Sequence, residues 1–140
     1  DLYGDVNLKE ELQEYIQKNN LDAQIHPPVP YEKIPELYSN TDIVVFPSIW
    51  PEPFGRIAIE AQAAGKIVIG SRRGAIEEMI PSSQGILIKP GNPTELRKVI
   101  EECITKRTKL KYNVKYLEKY QQENLIINFI KVYQEAMNHD

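Results

Sequence analysis

Three stretches of the chain, residues 42–48, 66–70 and 85–88, contain unbroken apolar runs: Ile43-Val44-Val45-Phe46, Ile67-Val68-Ile69 and Ile86-Leu87-Ile88. A strand with one wet face alternates apolar and polar residues, whereas a continuous run suits a strand covered on both faces. Between the runs, apolar residues recur at helical spacing. Short strands that alternate with helices build βα units, in which each helix is the crossover between parallel strands. The predicted class is α/β, with a mostly parallel sheet and helices on both of its faces.

The other segments fit this scheme. Leu2-Tyr3 reads as the end of a strand and Gly4-Asp5 as the turn leaving it. Asn7 is a candidate N-cap for a helix with Leu8, Leu12, Tyr15 and Ile16 on one face, stopped at Asn19-Asn20. Residues 23–26 form a short strand that Pro27-Pro28 must end, because proline has no N–H for a ladder. Residues 31–38 read as a helix with Ile34, Leu37 and Tyr38 on one face. The alanine-rich helix from 55 to about 64 can sit close to a sheet, and Gly65 suits its C-cap. A brief helix spans 75–80. Asn92-Pro93-Thr94-Glu95 combines a capping side chain, a first-turn proline and an acid near the positive helix end. The helix it opens carries an apolar stripe of Leu96, Val99, Ile100, Cys103 and Ile104. A final helix, roughly 121–137, is expected to bury Ile126, Phe129, Ile130, Tyr133 and Met137.

The length of 140 residues is read as one domain, 1–140. Seventeen basic residues face 20 acidic ones, a formal net charge of -3. That balance gives no electrostatic reason to expect nucleic acid or an anionic membrane as the main partner. Lys106, Arg107, Lys109, Lys111 and Lys115 cluster. They read as a solvated helix end and turn, with weak attraction to phosphates or membrane lipid headgroups as the lesser alternative. Cys103 is the one cysteine, so no intrachain disulfide can form. A reducing compartment fits, and the expected location is cytoplasmic. No apolar run approaches the roughly 20 residues of a membrane helix. No His, Cys and carboxylate cluster has metal-ligand spacing, so neither metal nor other cofactor is expected. The chain opens on Asp1, so its native N-terminus is expected elsewhere.

The segment that points to chemistry is PSIWPEPFGRIAIEAQAAG, residues 47–65. In open α/β sheets ligands sit beyond the carboxyl ends of the strands, so the loop after residue 48 faces the expected cleft. Its prolines stiffen the backbone around Glu52. Gly55 then opens a helix whose first N–H groups lack internal partners, and these donors with the helix dipole suit a phosphate. Glycine at that point is expected to let an anion approach without a Cβ in the way. Glu52 and Glu60 flank the helix start. Carboxylates repel phosphate but accept hydrogen bonds from sugar hydroxyls. The spacing alone is equally compatible with two solvated surface acids.

Seven residues separate Glu52 from Glu60, and EPFGRIAIEAQAAG resembles the E-x7-E donor signature of family-four retaining glycosyltransferases of GT-B fold. LYGD, YEKIPELYSNTDIVVFPS, KIVIGSRRGAIEEMI and GILIKPGNPTELRKVI resemble other parts of that family's C-terminal, donor-binding domain, so the likeness covers about residues 2–104. The resemblance implies a three-layer Rossmann-like domain that binds a nucleotide diphosphate sugar and needs no metal. It makes Glu52 the candidate catalytic residue, holding hydroxyls of the transferred sugar, and gives Glu60 the ribose hydroxyls. It assigns the sugar and pyrophosphate to the segment Pro53, Phe54, Gly55, Arg56 and Ile57, largely through backbone N–H groups. Pro28 and Val29 would border the nucleobase. His26 is expected to be a strand-end residue rather than a catalyst. Trp50 is either a pocket wall or a packing residue. Arg72 and Arg73, on the next cleft-facing loop, are candidates for phosphate or acceptor.

The departures shape the expectation. The family often pairs two glycines in the turn where this chain has Gly74-Ala75, and follows the strand ending at His26 with glycine rather than Pro27-Pro28. The domain's first strand and helix, with an Arg and a Lys for the pyrophosphate, are not in the sequence, nor is the N-terminal acceptor domain. The absent strand is central, so its neighbours should have unpaired edges. The expectation is a donor-domain fragment of a longer enzyme, inactive alone, or a sheet that another segment completes. A non-catalytic module that binds a nucleotide sugar or a partner is the alternative. A dinucleotide-binding domain is disfavoured, because no G-x-G-x-x-G follows a strand.

Overall fold

Parallel pairing joins every strand described in the computed structural model, which covers residues 2–3, 8–106 and 114–137. The strands form two sheets, one of two strands and one of three, and the chain divides into two compact units, residues 1–40 and 41–140. The expected sheet is thus present in two pieces, and the α/β class holds.

In the first unit, β1 (Leu2–Tyr3) pairs with β2 (Ile25–His26) in the register Leu2↔Ile25. Helix α1 (Lys9–Lys18) has Glu10 and Glu11 in its first turn and Lys18 in its last, each favourable to the helix dipole. Asn20, at φ +49°, ends it. The bonds Leu21 N–H to Ile16 O and Asn20 N–H to Gln17 O close a left-handed cap at the stop that the sequence anticipates. Asn7, the anticipated N-cap, lies outside the described residues. The predicted apolar face is only half realised: Leu12 and Ile16 are half-buried, but Leu8 and Tyr15 are exposed. The segment read as one helix over 31–38 begins as a 3-10 turn (Tyr31–Lys33) and continues as α2 (Ile34–Ser39), with Tyr38 buried.

In the second unit, β3 (Ile43–Phe46), β4 (Ile67–Ser71) and β5 (Ile86–Ile88) lie in that order, with Ile43↔Ile67 and Ile69↔Ile86 fixing the register. Side chains alternate across a strand, so β4 has two distinct faces. On one, Ile69 joins Ile88 and Cys103 in a core backed by Leu96, Val99 and Ile100 of α5 (Pro93–Thr105). On the other, a Cβ at Gly70 would stand 2.9 Å from Ile76 of α4 (Ile76–Met79) and 2.6 Å from Ile80. Helix α3 (Arg56–Ala63) lies against β3 and β4, with Ala58 and Ala61 fully buried, as the small-residue reading expects. Helices therefore cover both faces of β4. Strand β3 is less enclosed than predicted: Val45 is exposed and the other three residues half-buried.

Two helix ends follow the sequence closely. Gly65, at φ +71°, ends α3 through Lys66 N–H to Ala61 O and Gly65 N–H to Gln62 O. Asn92 Oδ1 accepts from Glu95 N–H at 3.1 Å to cap α5, while Glu95 Oε2 accepts from Lys89 N–H and Asn92 Nδ2. Cys103 is buried as expected, but Ile104 is exposed. The C-terminal third departs furthest. A short helix that the sequence reading missed, α6 (Val114–Glu118), precedes α7 (Gln122–Met137). The stripe Ile126, Phe129, Ile130, Tyr133 and Met137, predicted to be core, is 49–70% exposed. No helix among the described residues is long and apolar enough to cross a membrane.

Candidate functional site

β3 and β4 are parallel neighbours, so their carboxyl ends open on the same edge. The loop after β3 holds Glu52, and the turn after β4 braces it. Glu52 O accepts from Ala75 N–H at 2.9 Å. Gly74, at φ +60°, passes so close that a Cβ there would stand 2.6 Å from Glu52 O, 2.7 Å from Glu52 N and 2.9 Å from the Pro51 carbonyl carbon. Only glycine fits both the dihedral and the gap. The Gly74-Ala75 pair thus serves as a backbone clamp on the loop. Ser48 Oγ lies 3.0 Å from Glu52 Oε1 and 3.2 Å from Trp50 O, so its one proton serves either acceptor. The Glu52 carboxylate is half-buried, and no described partner is seen for its second oxygen.

Gly55 differs from expectation. Its φ and ψ of -82° and 66°, with Arg56 N–H bonded to Phe54 O at 3.0 Å, make an inverse γ-turn open to any L-residue. Its N–H donates to Met79 Sδ at 3.1 Å, and a Cβ would meet Met79, Phe46 and Ile76 at 3.5–3.6 Å. Both the amide and the missing side chain face inward. The anion-access role assigned to glycine here is corrected: the absent Cβ leaves room on the core side.

Among the described residues, the N–H groups of Phe54 and Ile57 have no hydrogen-bond partner, whereas those of Gly55, Arg56 and Ala58 are committed to Met79 Sδ, Phe54 O and Gly55 O. The donors at the helix start are therefore fewer than the four anticipated. Glu60, one turn into α3, has its Oε1 3.1 Å from Arg56 Nε, with side-chain exposures of 24% and 68%. So exposed an ion pair holds weakly, by about 1 kcal/mol at most. Behind the helix, Gln62 Nε2 donates to Ala58 O at 2.9 Å and to Met79 O at 2.8 Å, tying α3 to α4. Gln62 Oε1 and Ser71 Oγ are buried without a hydrogen-bond partner among the described residues.

The structure therefore brings Glu52, Pro53, Phe54, Gly55, Arg56, Ile57 and Glu60 into one loop and the first turns of one helix. Trp50 is 67% exposed, so it packs little against the described residues. Arg72 and Arg73 are exposed on the bracing turn. Pro28 and Val29 stand in the first unit, after β2, with Pro28 exposed and Val29 half-buried. His26 is the last residue of β2, as expected. Among the described residues no group of three or more His, Cys, Asp or Glu side chains could hold a metal ion.

Sequence reading missed the aromatic group that follows. Tyr120, just after α6, meets the Phe54 ring edge-to-face, with centroids 6.1 Å apart at 80°. Tyr116 packs edge-on to Tyr120 at 5.9 Å. Tyr116 Oη donates to Glu78 O, and Tyr120 Oη lies 3.2 Å from Tyr116 Oη and 3.4 Å from the same carbonyl. A carbonyl near a helix C-terminus lacks intrahelical partners, which is why hydroxyls settle there. Lys119 Nζ stands over both rings, 4.2 Å and 4.7 Å from their centroids. Burial, reinforced by the hydrogen bond with Tyr120, pushes the Tyr116 hydroxyl above the ordinary tyrosine range. For Lys119, desolvation acts downward, but its hydrogen bonds and charge interactions with Tyr120 and Tyr116 outweigh it and the net shift is upward. The i, i+4 spacing of Tyr116 and Tyr120 was the available signal.

The sequence model of the family described as glycosyl transferases group 1 matches residues 1–123. An uncharacterised glycosyltransferase of Methanocaldococcus jannaschii is 34% identical over 112 residues, covering 76% of this chain and 28% of the relative. A glycosyltransferase of Rickettsia africae superposes with a TM-score of 0.82 at 25% identity, over 100% of this chain and 41% of its own. HepE of Anabaena, solved in complex with UDP-glucose, superposes with a TM-score of 0.75 at 25% identity, over 99% of this chain and 40% of its own. The chain spans well under half the length of each of these proteins.

Proposed function

The chain belongs to the glycosyl transferases group 1 family, and on that premise we propose that residues 48–60 form the donor site for a nucleotide diphosphate sugar, transferred with retention of anomeric configuration. The observation that supports this most is the junction itself. A loop fixed through Glu52 O and Gly74 keeps two carboxylates and the unpartnered amides of Phe54 and Ile57 around the start of one helix. The bonding capacities match the ligand. Amide donors and the helix dipole suit the diphosphate, and carboxylate acceptors suit hydroxyls on either side of it. HepE, of similar fold, was solved with UDP-glucose.

In this reading Glu60 exchanges its exposed pairing with Arg56 for the ribose hydroxyls. Glu52 keeps one oxygen on Ser48 and offers the other to the sugar. As the bond to the sugar breaks, negative charge grows on the departing diphosphate. Fixed amide dipoles meet it without reorganising, and Arg56, released from Glu60, adds positive charge, an electrostatic contribution that takes the place of a metal. Calorimetric titration of the natural full-length protein with UDP-, GDP-, ADP- and TDP-glucose tests the site. One nucleotide sugar should bind, and Glu60→Ala should weaken it while the melting curve holds. Binding that survives in folded Glu60→Ala and Glu52→Ala variants removes the site. Product analysis by NMR tests retention: an inverted anomer contradicts it.

A further inference from the structure

We infer that Tyr120, backed by Tyr116, is a positioning residue for the donor site: it holds the Phe54 ring and, through it, one of the two unpartnered amides at the start of α3. The inference rests on the donor-site reading above.

The loop is pinned unevenly. Residues 51 and 52 are locked by Gly74, Ala75 and Ser48. Phe54 follows Pro53, its own N–H is unpartnered among the described residues, and the residue is 44% exposed. Tyr120 meets that ring in a T-shaped pair, with the centroids 6.1 Å apart. Tyr120 is itself fixed at its far end, where its hydroxyl reaches Tyr116 Oη and Glu78 O. Glu78 belongs to α4, whose Met79 also accepts from Gly55 N–H and, by its carbonyl, from Gln62. One short helix thus anchors Gly55 through Met79 and Phe54 through the tyrosines. Each aromatic has two side-chain torsions, so such a chain of rings orders a loop at low entropic cost. The residues that do this lie more than 60 positions from the loop, in a segment with no ligand-facing group of its own in this reading.

The test is a double-mutant cycle on donor affinity in the natural full-length protein, with the four nucleoside-diphosphate glucoses as probes. Tyr120→Ala should weaken binding by about two- to tenfold, the range an edge-to-face aromatic pair is worth. Tyr120→Phe, which keeps the ring, should recover most of it. In a Phe54→Ala background Tyr120→Ala should do nothing further, a result that a merely structural role would not give. Should Tyr120→Ala fail to fold, Tyr120→Leu takes its place in the cycle. Wild-type affinity in the single variant, or equal losses in both backgrounds, overturns the inference and leaves the donor site standing. A wild-type protein that binds none of the probes overturns the donor site and the inference with it.

Discussion

The loop after β3 and the turn after β4 leave neighbouring strands at the same edge, yet their amides and their glycines are used differently. In the loop, the Phe54 and Ile57 amides and the outer oxygen of Glu52 have no partner among the described residues. In the turn, Ala75 N–H is committed to Glu52 O, Arg72 N–H to Ile88 O and Arg73 N–H to Ser71 O. The two glycines differ likewise. Gly74 is required by a left-handed dihedral and a gap of 2.6 Å, whereas Gly55 sits in a conformation open to other residues with ordinary space behind it. The loop thus keeps two of its amides unpartnered among the described residues while it leans on the turn at Ala75 N–H and Gly74.

Substitutions can break that contrast, and the largest effect belongs to the brace. Gly74→Ala forces an L-residue into a left-handed conformation and a Cβ into the Glu52 backbone. It should cost about 2–5 kcal/mol in denaturant unfolding, with donor affinity falling alongside. Unchanged stability would mean the turn does not clamp the loop. Glu60→Ala comes next and acts on the other side of the contrast. Loss of a charged acceptor should weaken donor binding by about ten- to hundredfold, read by calorimetry, with a nearly unchanged melting temperature. Ser48→Ala frees Glu52 Oε1 and should cost about 0.5–1.5 kcal/mol of donor affinity. Gly55→Ala should be the mildest, within about 1 kcal/mol of wild-type stability and with donor affinity intact. Lost affinity in a stable Gly55→Ala protein would show that the position does face the ligand.

The aromatic clamp yields a pH signature. The Tyr116 proton is held more tightly in the folded chain than in the unfolded one. Its contribution to stability is therefore full below about pH 10, the ordinary tyrosine value, and is lost as pH rises through the raised one. An ultraviolet titration should find a late-ionising tyrosine that Tyr116→Phe removes.

What the sequence made legible follows from how local each signal is. Gly65 and Asn92 were readable because a cap is a property of a few adjacent residues, and both end or start helices where expected. The grouping of residues 52–60 was readable because one loop and one helix hold it. Helices α5 and α7 mark the limit. Both carry apolar residues at helical spacing, yet Leu96, Val99, Ile100 and Cys103 pack against the sheet while Ile126, Phe129 and Tyr133 are exposed. Periodicity identifies which face is apolar; whether another element covers that face is a long-range fact. Gly55 and Gly74 show the same limit at single residues. The letter is identical, and only the tertiary neighbours reveal which one cannot change.

The central claim is tested most directly by a crystal structure of the natural full-length protein with its nucleoside diphosphate sugar. The account places the diphosphate against the Phe54 and Ile57 amides, with Glu60 turned from Arg56 to the ribose and Glu52 Oε2 on the sugar. A ligand bound elsewhere, with the Arg56–Glu60 pair intact and both amides facing solvent, would contradict it.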